Sequence, residues 1–198
     1  MKKLLTFGAL SASLAIVLSG CASSPMDSGM EHSMSEMGSQ SPSETSAEVN
    51  TADDMFISMM IAHHQQALEL SDIVLNKEGI PEDVTALATK IKDAQTPEIA
   101  TLEQWQKELK LSTPSNHSMG SEDGMVSEDE IKNLTNASGD EAATLFLQQM
   151  VAHHEGAVDM AKEEISQGKY QPAIDMAQNI VTSQRDEIDQ MKKMLEGK

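Results

Sequence analysis

Two histidine pairs at equivalent positions of an internal repeat are the residues whose types and spacing indicate chemistry. They hold four of the chain's six histidines, and a methionine precedes each pair by three residues. Polar and apolar residues around the pairs return in the same order at an offset of 90 residues. Thioether and imidazole groups suit soft or borderline ions, above all Cu(I) and its mimic Ag(I). The pattern therefore predicts a soft-metal site formed by Met60, His63, His64, Met150, His153 and His154.

The residue three positions before each pair distinguishes among the metals. Di-iron carboxylate bundles carry Glu-x-x-His on two helices and a further Glu on each of the other two. This chain has Met60 and Met150 in that position, and its sequence contains no Glu-x-x-His. Iron is therefore disfavoured, whereas zinc stays open because imidazole suits it. A di-metal redox enzyme stays an alternative, because Glu98 and Glu187 supply the further glutamate on each of the other two helices.

Polar residues on the partner helices are expected to lie beside the histidines. A buried histidine needs a hydrogen-bond partner or a metal, since an unsatisfied buried polar group costs about 1–3 kcal/mol. One alternative is therefore a structural or interaction module of the cell envelope, in which the polar residues only fix the register of the helices. In a metal site, the same neighbours act as weaker ligands or orient the ligands; they are Met59, Gln95, Glu98, Gln184 and Glu187.

The sequence motifs and the charge exclude several classes of function. The chain has no Gly-rich phosphate loop, no His-Glu-x-x-His and no nucleophile elbow. Its formal net charge of −18 argues against a nucleic-acid partner. We therefore interpret the protein as a binding protein and not as an enzyme.

Apolar residues at alternating spacings of three and four predict a helical hairpin that occurs twice. The first hairpin spans residues 51–110. Its first helix is expected to begin at Thr51, with Asp54 completing a capping box, and to end at Gly79. Pro97 should kink or split its second helix, because proline removes a backbone donor and clashes with the preceding turn.

The second hairpin spans residues 138–198 and is expected to begin with a capping box of Ser138 and Glu141. Between the hairpins lies a polar connector, residues 111–137, with a short helix after Ser127. A single hairpin leaves half of its apolar stripe exposed, so the two should pack together. The predicted fold is all-α, an antiparallel four-helix bundle of the ferritin-like kind.

Residues 1–20 are predicted to be a lipoprotein signal peptide. A short basic region is followed by an apolar stretch that is too short for a comfortable membrane span. It ends in Leu18-Ser19-Gly20-Cys21, which is typical of a bacterial lipobox, and Cys21 is the only cysteine. We expect an exported protein, facing the periplasm or the outside of the cell, that lipidated Cys21 anchors to the membrane.

Residues 21–50 are predicted to be a disordered tether rich in Ser and Met. Its methionines recur every three or four residues with a histidine among them, a composition suited to Cu(I). The alternative is a polar tether in which Met happens to be common. The tether ligands under the first interpretation are Met30, His32, Met34 and Met37.

Five separate pieces of the sequence, in order, resemble domain-of-unknown-function family 305. Residues 59–67 and 146–161 are similar to its two signature helices, and Gln95-x-x-Glu98 and Gln184-x-x-Glu187 to its second-helix motifs. Gly124-Met125 is similar to its central segment. The resemblance implies a secreted or lipid-anchored, ferritin-like four-helix bundle. It also implies copper or silver binding through Met and His, as in some members.

These observations lead to one functional expectation. The chain is predicted to be an extracytoplasmic, lipid-anchored binding protein for Cu(I) or Ag(I) that acts in metal buffering or tolerance. Its expected partners are metal ions, the membrane at Cys21 and a protein that exchanges metal with it.

Overall fold

The computed structural model describes residues 48–111 and 123–197. The signal peptide, Cys21 and the tether residues Met30, His32, Met34 and Met37 lie outside the described residues. Within the described ranges the chain is helical and has no strand, which confirms the prediction of an all-α fold. The helices are α1 (Thr51–Leu75), α2 (Glu82–Glu108), α3 (Glu128–Asn136), α4 (Gly139–Gln167) and α5 (Gln171–Glu196).

The four long helices form a bundle in which α1 and α4 pack against each other. α1 also packs on α2, and α4 on α5, so each hairpin contributes one helix to the central pair. The two ends of this pair show that α1 and α4 run antiparallel. The side-chain amide of Asn50 donates to the carbonyl of Gln167 at 2.7 Å. At the other end, a Cβ built on Gly79 would lie 3.6 Å from the Cα of Gly139.

The start of α1 is capped differently from the sequence prediction. Asn50, and not Thr51, is the N-cap residue, and its side chain accepts from the backbone N–H of Asp53 at 3.1 Å. The Asp53 carboxylate accepts from the backbone N–H groups of Lys169 at 2.9 Å and Tyr170 at 2.8 Å. Asp53 therefore closes the capping box and also ties α1 to the turn between α4 and α5.

Two further local predictions hold only in part. α2 continues through Pro97 without being split. Ser138 is the N-cap residue of α4, but its hydroxyl makes no capping hydrogen bond within the described residues. The capping box at Ser127 is confirmed, because its hydroxyl accepts from the backbone N–H of Glu130 at 3.3 Å.

The apolar core consists of two clusters separated by histidines. One cluster holds the second half of α1 and the first half of α4, including Leu70 and Phe146. The other holds the first half of α1 and the second half of α4, including Phe56 and Ala161. Between them lie the four residues that we call the histidine layer: His63, His64, His153 and His154. Among the described helices, none is long and apolar enough to cross a membrane.

Candidate metal centre

The helix pair α1 and α4 brings the two histidine pairs together in the middle of the bundle. All four side chains of the histidine layer are 0% exposed. The rings of His63 and His153 meet with their centroids 3.7 Å apart and their planes tilted by 35°. His64 and His154 are as fully buried as His63 and His153, because α2 and α5 cover them. The expected polar layer inside an apolar bundle is present.

His64 and His154 each pair with a glutamate on the other helix of the same hairpin. Nε2 of His64 lies 2.8 Å from a carboxylate oxygen of Glu98, and Nε2 of His154 lies 2.9 Å from one of Glu187. The two pairs differ in exposure: the side chain of Glu98 is 25% exposed, and that of Glu187 5%. Lys90 also approaches Glu187, with its Nζ 3.3 Å from the second oxygen. The two His–Glu pairs therefore share the same hydrogen bond but differ in their access to solvent.

His63 pairs with the backbone of the connector. Its Nε2 lies 3.2 Å from the carbonyl oxygen of Asp123. The connector can reach this position because two glycines let it cross α4 closely: a Cβ on Gly156 would lie 2.0 Å from that same oxygen, and Gly124 adopts a φ of +77°. Sequence reasoning missed this contact. The sequence does contain a signal for it, because Gly156 lies in the middle of a helix. A glycine there has no conformational reason of its own and indicates the close approach of another backbone segment.

Gln66 of α1 holds the same segment of the connector in place. The side-chain amide of Gln66 donates to the carbonyl of Val126 at 2.9 Å, and its oxygen accepts from the Val126 backbone N–H at 2.8 Å. Gln66 of α1 and Gly156 of α4 thus hold residues 123–126 across the central helix pair. One face of the histidine layer is covered by this segment.

The hydrogen-bond partners determine which ring nitrogens carry protons. A carbonyl or a carboxylate only accepts, so Nε2 of His63, His64 and His154 must be the donor. In the neutral ring, Nδ1 then keeps a free lone pair, and a histidine held in this way by a carboxylate or carbonyl is typical of metal ligands. Within the described residues these three Nδ1 atoms have no hydrogen-bond partner. The remaining histidine, His153, has none on either ring nitrogen.

Burial keeps the inner histidines neutral. Loss of solvation, together with the charge repulsion of His64 and His154, lowers the pKa of His63 to about 3. The same causes hold the pKa of His153 well below its usual range. Burial also lowers the pKa of His154, although Glu187 opposes the shift. Neutral imidazole is the form that binds a metal, so His63 and His153 can accept a cation without first losing a proton.

The methionines of the predicted site lie on opposite sides of the layer. Met60 belongs to one apolar cluster and Met150 to the other, and both are 0% exposed. Each precedes its histidine by one helical turn, so each thioether lies on the face that its histidine occupies. Met59, expected as a weaker ligand or a neighbour of the ligands, lines a cavity between α1 and α4.

The remaining expected neighbours are buried beside the layer. Gln95 and Gln184 are each 2% exposed. Both atoms of the Gln95 side-chain amide, and the oxygen of Gln184, have no hydrogen-bond partner within the described part of the chain. The layer therefore contains more polar atoms than its protein partners satisfy.

Hard ligands and imidazoles do not complete a metal site by themselves. Across residues 48–111 and 123–197, no three His, Cys, Asp or Glu side chains converge as a ligand set. A metal site at the layer would therefore need further donors, and the thioethers of Met60 and Met150, one helical turn before the histidines, are soft donors on the same helices. Such a mixed donor set suits a soft monovalent ion better than a hard divalent one.

The comparison with known proteins places this architecture in a family. The model of a domain of unknown function, DUF305, matches residues 53–195. A DUF305 fragment from Deinococcus radiodurans has 26% sequence identity and a TM-score of 0.69, and the match covers 76% of this chain and 99% of that one. A DUF305 protein from Streptomyces coelicolor, named for its expected secretion, has 32% identity and a TM-score of 0.69, covering 74% and 91%.

A third similar structure holds copper. CopM in its Cu(I)-bound form has 29% identity and a TM-score of 0.61, with 73% of this chain and 96% of that one covered. CopM also matches in a silver-bound form. No curated protein matches this chain significantly. The family description gives no function, and the names of the CopM structures state that CopM was bound to copper or silver.

Proposed function

The chain belongs to the DUF305 family, and from this membership together with the geometry of the histidine layer we propose that it binds the soft ions Cu(I) and Ag(I) outside the cytoplasm. The proposed ligands are the two Met-x-x-His-His faces, and the proposed role is metal buffering or tolerance. The residues are Met60, His63, His64, Met150, His153 and His154.

The observation that carries this proposal is the set of unpaired ring nitrogens. Nδ1 of all four histidines and Nε2 of His153 have no hydrogen-bond partner within the described residues. A layer that only fixed helix register would leave these buried groups unsatisfied, at about 1–3 kcal/mol each. A bound cation would satisfy the lone pairs that coordinate it, and the glutamates that accept from His64 and His154 would orient those rings.

The choice of a soft ion rests on the thioethers and on the relatives. Met60 and Met150 occupy the positions at which di-iron bundles carry glutamate, and a thioether is a poor ligand for iron. CopM, 29% identical to this chain, is known in a Cu(I)-bound form, and its silver-bound form is equally similar at 29%. Zinc is the less favoured alternative, because it gains little from a thioether.

We place the protein at the cell envelope on the basis of its sequence. The lipobox ending at Cys21 supports a lipid anchor, and the methionines of residues 21–50 support a first contact with metal ions in the tether. Buffering also requires a donor or an acceptor of metal, so we include an exchanging protein partner in the proposal.

A competition titration tests the proposal. The protein is titrated with Cu(I) in the presence of a chromophoric chelator, and compared with a variant in which all four histidines of the layer are replaced by Gln. His117→Gln is the matched control, because it removes a histidine from the connector only. We expect the fourfold variant to lose its tightest equivalent of Cu(I) and the control to keep it. Unchanged affinity and stoichiometry in the fourfold variant would refute the site.

A second measurement keeps the test valid if the fourfold variant does not fold. In the unaltered protein, an ion that binds only the native state raises stability by about 2.7 kcal/mol at a hundred times its dissociation constant. Ag(I) should therefore raise the melting temperature. In Met60→Leu/Met150→Leu, which conserves side-chain volume, this increase should become smaller. A layer with a purely structural role predicts the same change in melting temperature in both proteins.

A further inference from the structure

A cavity between α1 and α4 is lined by three methionines that no part of the proposed site uses. Its volume is about 130 Å³, and its thioethers come from Met55, Met59 and Met160. The remaining walls are Ala52, Phe56, Asp123, Glu163 and Glu164. On α1 the lining residues recur at spacings of three and four, so they form one face of the helix that is directed at α4.

A buried carboxyl group lines the same cavity. Glu164 is 1% exposed, and its carboxyl group lies beside the buried carboxylate of Asp53. Burial, together with the nearby Asp53, raises the pKa of Glu164 to about 8. A buried ionisable group in a mostly apolar wall is costly unless a counter-charge accompanies it. A cation in the cavity would supply that charge and favour the ionised form, with the proton released to solvent.

The internal repeat supplies a comparison for these positions. At the offset of 90 residues, Met55, Met59, Met160 and Glu164 correspond to Leu145, Gln149, Leu70 and Val74. Leu70 and Val74 are 0% exposed and pack in an apolar cluster, so the bundle can be built at these positions without a thioether or a carboxyl group. Packing alone therefore does not account for the sulfur atoms and the carboxyl group in one half only.

The cavity is also more accessible than the histidine layer. Met55 is 40% exposed, and Met59 and Met160 are partly buried, whereas Met60 and Met150 have no exposed surface. Asp123, which lines the cavity, also provides the carbonyl oxygen beside His63. The cavity thus lies between solvent and the covered face of the layer.

From these observations we infer that the cavity is a second soft-cation site, in which Met55, Met59 and Met160 bind Cu(I) or Ag(I) and Glu164 provides the counter-charge. The inference extends the proposed soft-metal function to residues outside the histidine layer. Three thioethers and one carboxylate form a donor set with little affinity for hard divalent ions. The site does not require the histidines, so each site can be tested without the other.

Methyl NMR of the whole protein tests the inference directly. The protein is labelled with [13C-methyl]methionine and titrated with Ag(I), and resonances are assigned by single Met→Leu substitutions. The methyl groups of Met55, Met59 and Met160 should shift together at the same added equivalent. The control is Met176, a partly buried methionine that packs against the apolar cluster containing Phe56. Its methyl resonance should stay unshifted. Cavity methyl groups that shift no more than that of Met176 would overturn the inference.

Variants separate this inference from the proposed function. In Met55→Leu/Met59→Leu/Met160→Leu, which conserves volume, the protein should bind one Ag(I) fewer, while the methyl groups of Met60 and Met150 still respond. Glu164→Gln should weaken the cavity site by about tenfold, as expected for loss of one partly screened charge. If the triple variant binds as much Ag(I) as the unaltered protein, the cavity site is wrong, whatever the histidine layer does.

Discussion

Replacing Gly156 by alanine should loosen the connector over the histidine layer. The new Cβ would lie 2.0 Å from the carbonyl oxygen of Asp123, 2.5 Å from its carbonyl carbon and 2.8 Å from the Cα of Gly124. All three are backbone atoms of the connector, so the connector segment itself must move. The movement would break the contact of 3.2 Å between that carbonyl oxygen and His63, because both depend on the same atom.

The expected cost can be worked from these contacts. Overpacking costs about 1–3 kcal/mol, and loss of one hydrogen bond adds about 0.5–1.5 kcal/mol. Alanine recovers about 1 kcal/mol through its higher helix propensity. The free energy of unfolding should therefore fall by about 0.5–3.5 kcal/mol. Urea denaturation of the metal-free protein measures this change, which should shift the midpoint and leave the slope unchanged.

The matched control is Gly197→Ala at the end of α5. A Cβ at that position meets no described atom closer than 3.9 Å, and its stability should change by less than about 0.5 kcal/mol. A Gly156→Ala protein as stable as this control, or more stable, would refute the argument that Gly156 exists to admit the connector.

Three other changes test the hydrogen bonds and charges of the bundle. Glu187→Gln should weaken Cu(I) binding by about 10–100-fold in chelator competition, because it perturbs the partner that orients His154. Glu98→Gln should weaken Cu(I) binding less, because the Glu98 carboxylate is more exposed. Asp53→Asn should lower the free energy of urea unfolding by about 1–3 kcal/mol, since the carboxylate caps α1 and accepts from two N–H groups of the α4–α5 turn. The pKa of Glu164 is raised from 4.5 to about 8, so its contribution to the stability of the metal-free protein is fully present below pH 4.5 and lost as the pH rises through about 8. Melting temperatures across this range should fall less in Glu164→Gln; an equal fall in both proteins would count against the assignment.

The periodicity of the sequence predicted the elements that carry the site. Apolar residues at helical spacing gave the four long helices, and the repeat indicated that His63 and His153 would face each other. Both expectations rest on interactions within one helix or between repeated faces, which a sequence pattern records directly. The pairing of Glu98 and Glu187 with the layer followed from the same repeat, because equivalent partners recur at equivalent positions.

The parts that sequence reasoning missed depend on contacts between distant segments. Asp53 was overlooked as a cap because its second role, at the α4–α5 turn, is visible only in three dimensions. Pro97 leaves α2 unsplit, because a proline costs a helix one hydrogen bond and packing against α1 can outweigh that loss. The carbonyl beside His63 comes from the connector, which has no periodicity and therefore no position that a pattern can predict.

The cavity lined by Met55, Met59 and Met160 was missed for a related reason. A methionine on a helix is usually an apolar core residue, and only the neighbouring helix shows that three of them surround a space together with Glu164. Comparison of the two repeats gives a sequence signal after the fact, since Leu70 and Val74 replace Met160 and Glu164 in the other half.

The most direct test of the central claim is anomalous diffraction from crystals of the protein loaded with Cu(I). Data collected on either side of the copper absorption edge locate the ion without assumptions about its ligands. We predict an anomalous peak in the histidine layer, bonded to histidine nitrogen and to the sulfur of Met60 or Met150. Copper bound elsewhere in a fully loaded crystal, with the layer empty, would contradict the account.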